Sequence, residues 1–274
     1  MIIVRVTTGC MALGAISVLI LGEFDLSLGY LISFCMMLGA VLSGSGANAL
    51  TVIVTMIASG AFFGLLSGLL TIKLQISSFI STLGIGMLLF GLTLAISSGE
   101  VKSAGIPQSI LTIGQGKFLQ VGYSVWILMI LGFLMHIFLN YTVLGRQLYA
   151  VGGSQKVSYL AGVKTDMVRI MGFVLAGTFT GLGAIFQLGQ SGAANPSFGP
   201  SLLLPAYAIV FLGATAFHVG IYNIKGLMLA IILLGVGVNG INMLGAPTWA
   251  EHVYNGGVLI LAIYLANRNK KKFA

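Results

Sequence analysis

Glu23 and Asp25, separated by a single phenylalanine, are two of only five carboxylates in this 274-residue chain. They sit in a short break, Gly22-Glu23-Phe24-Asp25-Leu26-Ser27-Leu28-Gly29, flanked by apolar runs over residues 7–21 and 30–43. A charge this close to bilayer-grade sequence is costly in lipid, so it faces protein or water. Two kinds of chemistry fit. Asp25 and Ser27 can satisfy free amides at a helix N-terminus while Gly22 and Gly29 let backbones approach, which makes the break an architectural turn. Alternatively Asp25 lines a path for a polar solute.

The second chemically rich stretch is residues 145–169, with Arg146, Lys156, Lys164 and Arg169. Leu148, Tyr149, Val151 and Ala161 add apolar contacts, and Gly152-Gly153 before Ser154 reads as a turn followed by a helix N-cap. A short helix at the membrane interface, docking on a soluble partner, has this composition, as does an ordinary basic loop. Other reactive groups are scattered. His136, His218 and His252 have no metal spacing and read as polar helix-end residues. Cys10 and Cys35 fall in apolar runs and read as buried small hydrophobes. Gly181-Leu182-Gly183 lies in an apolar helix and lacks the third glycine of a dinucleotide site. No phosphate-binding loop occurs, so any nucleotide hydrolysis belongs to another chain; neither enzyme chemistry, cofactor nor metal is indicated.

The elements that must position these residues are transmembrane helices. The chain is 58% hydrophobic and 7% charged, with a mean hydropathy of +1.07. A soluble domain needs about a quarter of its residues charged, so lipid is the solvent here. The apolar runs do not alternate at period two, which excludes a barrel and leaves an all-α polytopic membrane protein. The net charge of +8 accordingly reflects membrane orientation, not affinity for nucleic acid.

Spans are expected at about 7–22, 26–43, 50–70, 79–97, 122–140, 170–189, 203–217, 226–244 and 253–266. The basic tail Arg268-Asn269-Lys270-Lys271-Lys272 and the loop 145–169 fall on one side, which the positive-inside rule makes the cytoplasm. Residues 98–121 and 190–202 then lie outside. Gly60, Gly64 and Gly68 form a period-four ladder suited to close helix packing, inside the chain or between subunits.

An internal repeat runs through the sequence. Ala12-Leu13-Gly14-Ala15-Ile16 reappears as Gly181-Leu182-Gly183-Ala184-Ile185, and Asp25-Leu26-Ser27-Leu28-Gly29 aligns with Asn195-Pro196-Ser197-Phe198-Gly199 at an offset of about 170. At the same offset Ser78-Phe79 faces Thr248-Trp249 and Gly86 faces Gly256. One copy runs outward-to-inward and the other inward-to-outward. An inverted-topology repeat of this kind, with halves at about 1–115 and 120–274 in a single permease domain, puts a transport pathway between the halves. Span 122–140 then calls for a partner upstream of Met1, so the expected plan has ten spans with the first absent. Because Asn195-Pro196-Ser197 keeps cap chemistry and drops the charge, the repeat favours architecture over solute contact for Asp25.

Three stretches carry a family resemblance. Residues 22–29 resemble a Gly-Gly-Ile-Asp-Leu-Ser-Val-Gly motif, and Ser77-Ser78-Phe79-Ile80-Ser81-Thr82-Leu83-Gly84 is similar to Pro-Ala-Phe-Ile-Ala-Thr-Leu-Gly. Gly145, Arg146, Tyr149, Ala150, Gly152 and Gly153 match Gly-Arg-x-x-Tyr-Ala-x-Gly-Gly, with Ala161-Gly162-Val163 downstream. All three belong to the permease subunits of ABC importers for ribose, other monosaccharides and autoinducer-2. The resemblance implies a bacterial inner-membrane permease that works with two ATP-binding subunits, a second permease copy or paralogue, and an extracytoplasmic solute-binding protein. It also implies that residues 145–163 form the coupling element to the ATPase. Asp25, Ser27, Gly29, Phe79, Asn195 and Ser197, singled out by the break, the repeat and the second motif, are the candidates for helix breaks or the path. One departure stands out. The family's Leu-Gly-Gly-Thr-Ser segment is here Leu212-Gly213-Ala214-Thr215-Ala216, which removes backbone freedom from a loop. An ion-coupled secondary transporter, or a degenerate permease lacking its first span, are the competing readings.

Overall fold

The structure is a computed structural model that describes residues 4–217 and 220–270, with side chains from Val6 to Tyr264 outside the gap. His218 and the end of the basic tail lie outside the described residues. Twelve α-helices and one short β-ribbon are described. In chain order they are α1 Val4–Ile20, α2 Ser27–Gly44, α3 Ala49–Lys73, α4 Ser78–Ser97, α5 Gln108–Gln115, β1 Lys117–Phe118, β2 Val121–Gly122, α6 Tyr123–Tyr141, α7 Val143–Gly153, α8 Gln155–Leu160, α9 Thr165–Ser191, α10 Pro200–Gly213, α11 Ile224–Met243 and α12 Thr248–Lys270.

Six of these helices, α2, α3, α4, α6, α9 and α11, are long and apolar enough to cross a membrane. Val6–Ile20 and Pro200–Gly213 are apolar but shorter. The expected spans coincide with helices, and two features went unforeseen. Helix α10 stops at Gly213, short of residue 217, and residues 98–121 contain α5 and an antiparallel ribbon pairing Lys117 with Gly122.

Helix α1 is the hub. Every described side chain from Val6 to Ile20 is buried, and α9, α10, α6, α11 and α7 pack around it. Such a helix has no lipid-facing stripe and therefore no amphipathic signal. Polar groups inside it find partners on α9: the Thr7 hydroxyl donates to Gln187 Oε1 at 3.0 Å and the Ser17 hydroxyl to the Gly172 carbonyl at 2.7 Å. Cys10 and Cys35 are buried free thiols.

The tightest helix pair is α3 with α9, and it is built on small residues. A Cβ placed on Gly60 would come 2.4 Å from the Gly177 carbonyl oxygen, and one on Gly64 2.4 Å from that of Phe173. Gly68 meets the Ile170 Cα at 3.1 Å. The period-four ladder thus serves internal packing, because only side chains without a Cβ let the two backbones come this close.

The bundle has two ends. One carries α7, α8, the C-termini of α1 and α3 and the N-terminus of α9. At the other, Lys102 and Ala194 exchange backbone hydrogen bonds at 3.1 and 2.8 Å, tying residues 98–107 to the segment that precedes α10. Helix α5 lies against the C-terminus of α9 there, with Gly114 and Gly189 in mutual backbone contact.

Candidate functional site

The break at residues 21–26 stands at the α7–α8 end, and four successive amides there are held by side chains from three parts of the chain. Phe24 N–H donates to Ser78 Oγ at 3.3 Å, Asp25 N–H to Tyr207 Oη at 2.9 Å, Leu26 N–H to Thr82 Oγ1 at 3.0 Å and Ser27 N–H to Asp25 Oδ1 at 3.0 Å. A helix leaves its first amides without intrahelical partners, and burying them unpaired is costly. Helix α4 and α10 supply what Asp25 alone cannot. Residues 22–29 and 77–84, far apart in the sequence, therefore form one hydrogen-bonded unit.

Asp25 is fully buried. Its Oδ1 accepts from both the amide and the hydroxyl of Ser27, while Oδ2 is buried without a hydrogen-bond partner. Tyr207, also buried, accepts from the Asp25 amide and donates to the Asp25 carbonyl at 2.9 Å. That double bond across 182 residues clamps α10 to the break. Tyr207→Phe is expected to cost about 1–3 kcal/mol, since it leaves a buried amide and a carbonyl unsatisfied. The check is a lower thermal midpoint of the purified protein in detergent, with Tyr222→Phe, whose role is through its backbone carbonyl, as the control.

The second repeat stretch builds the same local turn. Asn195 Oδ1 accepts from Ser197 N–H at 2.9 Å, as Asp25 Oδ1 does from Ser27 N–H. Gly29 and Gly199 then meet directly: a Cβ on Gly199 would lie 2.1 Å from the Gly29 carbonyl oxygen, and Gly199 N–H donates to Ser33 Oγ at 2.8 Å. The N-termini of α2 and α10 are thereby brought together inside the bundle. Asp25, Ser27 and Gly29 are buried, whereas Asn195, Ser197 and Phe79 are exposed.

Glu23 faces away from this knot. Its carboxylate pairs with the Arg169 guanidinium at the base of α9, both side chains being more than four-fifths buried. They line a polar cavity of about 650 Å³ with Phe24, Gln75, Ser78 and Gln155. Such a pair holds the break against the helix that follows α8, because separating it strands a charge in a poorly solvated place.

Residues 145–163 are two helices, not a turn and one helix. Thr142 caps α7 by accepting from Gly145 N–H at 3.0 Å, and Ser154 caps α8 by accepting from Val157 N–H at 3.3 Å. Gly152 and Gly153 close α7 in helical conformation. The inner face of α7 presents Gly145, Leu148 and Val151, all buried. A Cβ on Gly145 would lie 2.2 Å from the Phe138 carbonyl oxygen, and one on Gly152 1.9 Å from that of Ile20. Tyr149 donates to the Tyr222 carbonyl at 2.7 Å, and burial pushes its phenol up to about 12. Arg146, Ala150, Gly153, Ala161 and Gly162 face outward, and α8 exposes Val157, Tyr159 and Leu160.

The sequence does not show which of these residues pair with the break. Tyr207, Ser78, Thr82 and Arg169 act across long separations, and Asn223 is another such case. Its side-chain amide donates to the carbonyls of Ala216 and Ile221 at 3.2 and 3.0 Å, and its Oδ1 accepts from Gly226 N–H at 2.7 Å. The loop that follows α10 is clasped by this asparagine. His136 bonds to Asn140 one turn on, and no group of three metal-ligating side chains gathers among the described residues.

A buried hub helix, closely crossed small-residue helices and a pair of short helices packed at one end make a multi-pass helical bundle, and comparison with known proteins identifies it as a transport permease. The chain belongs to the family described as branched-chain amino acid transport system / permease component, whose model matches residues 1–263. It is similar to the ribose import permease protein RbsC of Escherichia coli, 30% identical over 263 residues that cover 95% of this chain and 82% of that protein. It is likewise 31% identical over 268 residues to RbsC of Bacillus subtilis, covering 97% and 82% of the two chains. To the L-arabinose ABC transporter permease protein AraH of Azospirillum brasilense it is 28% identical over 256 residues, covering 93% and 75%. No solved structure matches the chain significantly.

Proposed function

We propose that this chain is the non-catalytic membrane subunit of an ABC importer that moves a sugar or sugar-like solute into the cytoplasm across the bacterial inner membrane. Two ATP-binding subunits drive it, a solute-binding protein feeds it from outside, and a second copy or a paralogue completes the path. The observation that carries this reading is the pair α7–α8. One face of α7 is locked to the ends of α1 and α6, and the apolar side chains Val157, Tyr159 and Leu160 of α8 stand uncovered beside Lys156. That is what a rigid docking element for a soluble partner requires. Relatives named for ribose and arabinose transport support the solute class.

In this reading the α7–α8 end and the C-terminus face the cytoplasm. The paired turns at Asp25 and Asn195, and the contact between repeat-equivalent Gly29 and Gly199, support an inverted repeat. Residues related by a two-fold axis can touch only next to that axis. Motion of α7 during ATP-driven closure would pass to the break through Ile20, and the two halves would open alternately to each side. An ion-coupled carrier would need a carboxylate open to the path, whereas Asp25 is enclosed and Glu23 is paired with Arg169.

Co-expression with the ATPase subunit tests the proposal. The ATPase is expected to co-purify with the wild-type chain, and Arg146→Glu with Gly153→Leu is expected to reduce its recovery at least about tenfold, the size of a lost interface anchor. Uptake that survives ATP depletion and collapses with the ion gradient would sink the importer reading.

A further inference from the structure

Beside the α3–α9 crossing lies a groove that borders the proposed docking face at Lys156 and Tyr159 and extends away from it. The two helices are in close contact at Gly68 and Ile170, and toward the α7–α8 end Lys73 and Asp166 pair across them at 3.4 Å. The groove, of about 990 Å³ and bordered by α3, α8 and the start of α9, is lined by Lys73, Lys156 and Lys164 at its foot and by Leu65, Met167 and Met171 on its wall. Asp166 offsets one ammonium group, and Lys156 and Lys164 have no ion pair among the described residues. Two positive charges are therefore in excess at the mouth.

The wall is as informative as the charges. Leu65 stands eight residues before Lys73 on α3, roughly 12 Å along the helix axis. Leu65 and Leu69 lie on the same side of α3 as Lys73, and both are exposed. The groove thus runs from a cationic foot at the end of the spans up an apolar wall at bilayer depth. A soluble protein can reach the lysines but not the wall, and a neutral lipid satisfies the wall but not the lysines. An anionic headgroup with its acyl chain laid along α3 satisfies both.

We propose that this groove is a binding site for one anionic glycerophospholipid, its phosphate held by Lys73, Lys156 and Lys164 and one acyl chain against Leu65 and Met171. A lipid held there would brace α8 against α3 next to the docking face.

The test is native mass spectrometry of the full chain released from mixed micelles holding phosphatidylglycerol and phosphatidylcholine in equal amounts. The wild-type chain is expected to retain phosphatidylglycerol over phosphatidylcholine at least about tenfold, as expected for several lysines at one headgroup. The Lys156→Gln/Lys164→Gln double variant, which touches only exposed and unpaired side chains, should lose most of that preference. Met171→Trp, which fills the wall and keeps the charges, should lower retention of both lipids. Equal retention of the two lipids by the wild-type chain overturns the proposal, as does a preference that survives the double variant. A double variant that keeps its lipid but no longer recovers the ATPase assigns the lysines to protein docking instead, and that result also overturns it.

Discussion

Replacing Gly177 with leucine is expected to abolish the folded protein. A single Cβ at that position already falls 2.1 Å from the Gly60 carbonyl oxygen, and one on Gly181 falls 2.7 Å from that of Met56. These are backbone-to-backbone contacts, so no side-chain rotation relieves them. The helices must separate along much of the α3–α9 seam, and α9 also carries α1, α2 and α5. Overpacking a core costs about 1–3 kcal/mol where side chains can shift, and more where they cannot. Without a hydrophobic force between helices in lipid, the close contact itself is what holds the pair. We expect Gly177→Leu to leave almost no monodisperse protein after extraction in mild detergent, read by size-exclusion chromatography. Gly84→Leu and Gly91→Leu on α4, where nothing lies within 4 Å of the added Cβ, should leave the extracted chain folded. A wild-type profile for Gly177→Leu would mean that the seam is not the keystone described.

What the sequence reveals here follows from the physics of the solvent. In a bilayer the core and the lipid-facing surface are equally apolar, so hydropathy locates helices and says little about which are buried. Helix α1 illustrates this: its composition resembles that of the other spans, yet it alone is enclosed along its whole described length. Small residues are the exception, because they mark close backbone approach in any solvent, and the Gly60-Gly64-Gly68 ladder was readable for that reason. The break was half readable. Asp25 and Ser27 show their cap chemistry locally, and the repeat offset pointed to the matching turn at Asn195 and Ser197. Ser78, Thr82 and Tyr207 complete the cap from 54 to 182 residues away, a separation at which spacing carries no signal. Asn223 escaped notice for a different reason. The resemblance drew attention to a loop with less backbone freedom, while the residue that clasps it is a single asparagine of a common type. Helix α5 and the ribbon after it lie outside the spans, where hydropathy periodicity offers nothing.

Gly152 and Gly153 look interchangeable in the sequence, and the structure separates them. A Cβ on Gly152 would collide with the Ile20 carbonyl oxygen at 1.9 Å, whereas Gly153 has nothing within 4 Å. Ile20 is the last residue of α1, immediately before the break whose amides Tyr207, Ser78 and Thr82 hold. Gly152 is therefore where α7 touches the end of the hub helix. In the proposed importer, Gly152→Leu should push α7 away from α1 while leaving the exposed face of α8 intact. The ATPase subunit is then expected to co-purify and hydrolyse ATP, with solute uptake in proteoliposomes reduced to about a tenth or less, the size of effect seen when binding is not converted into a coupled conformational change. Gly153→Leu should show the reverse pattern: a fully folded subunit whose recovery of the ATPase falls. Equal loss of ATPase recovery in both variants would show that α7 and α8 act as one undivided docking surface and that Gly152 transmits nothing of its own. Normal uptake in Gly152→Leu would remove the contact with Ile20 from the coupling route altogether. The remaining ties of α7, Gly145 on α6 and Tyr149 on the Tyr222 carbonyl, would then have to carry it.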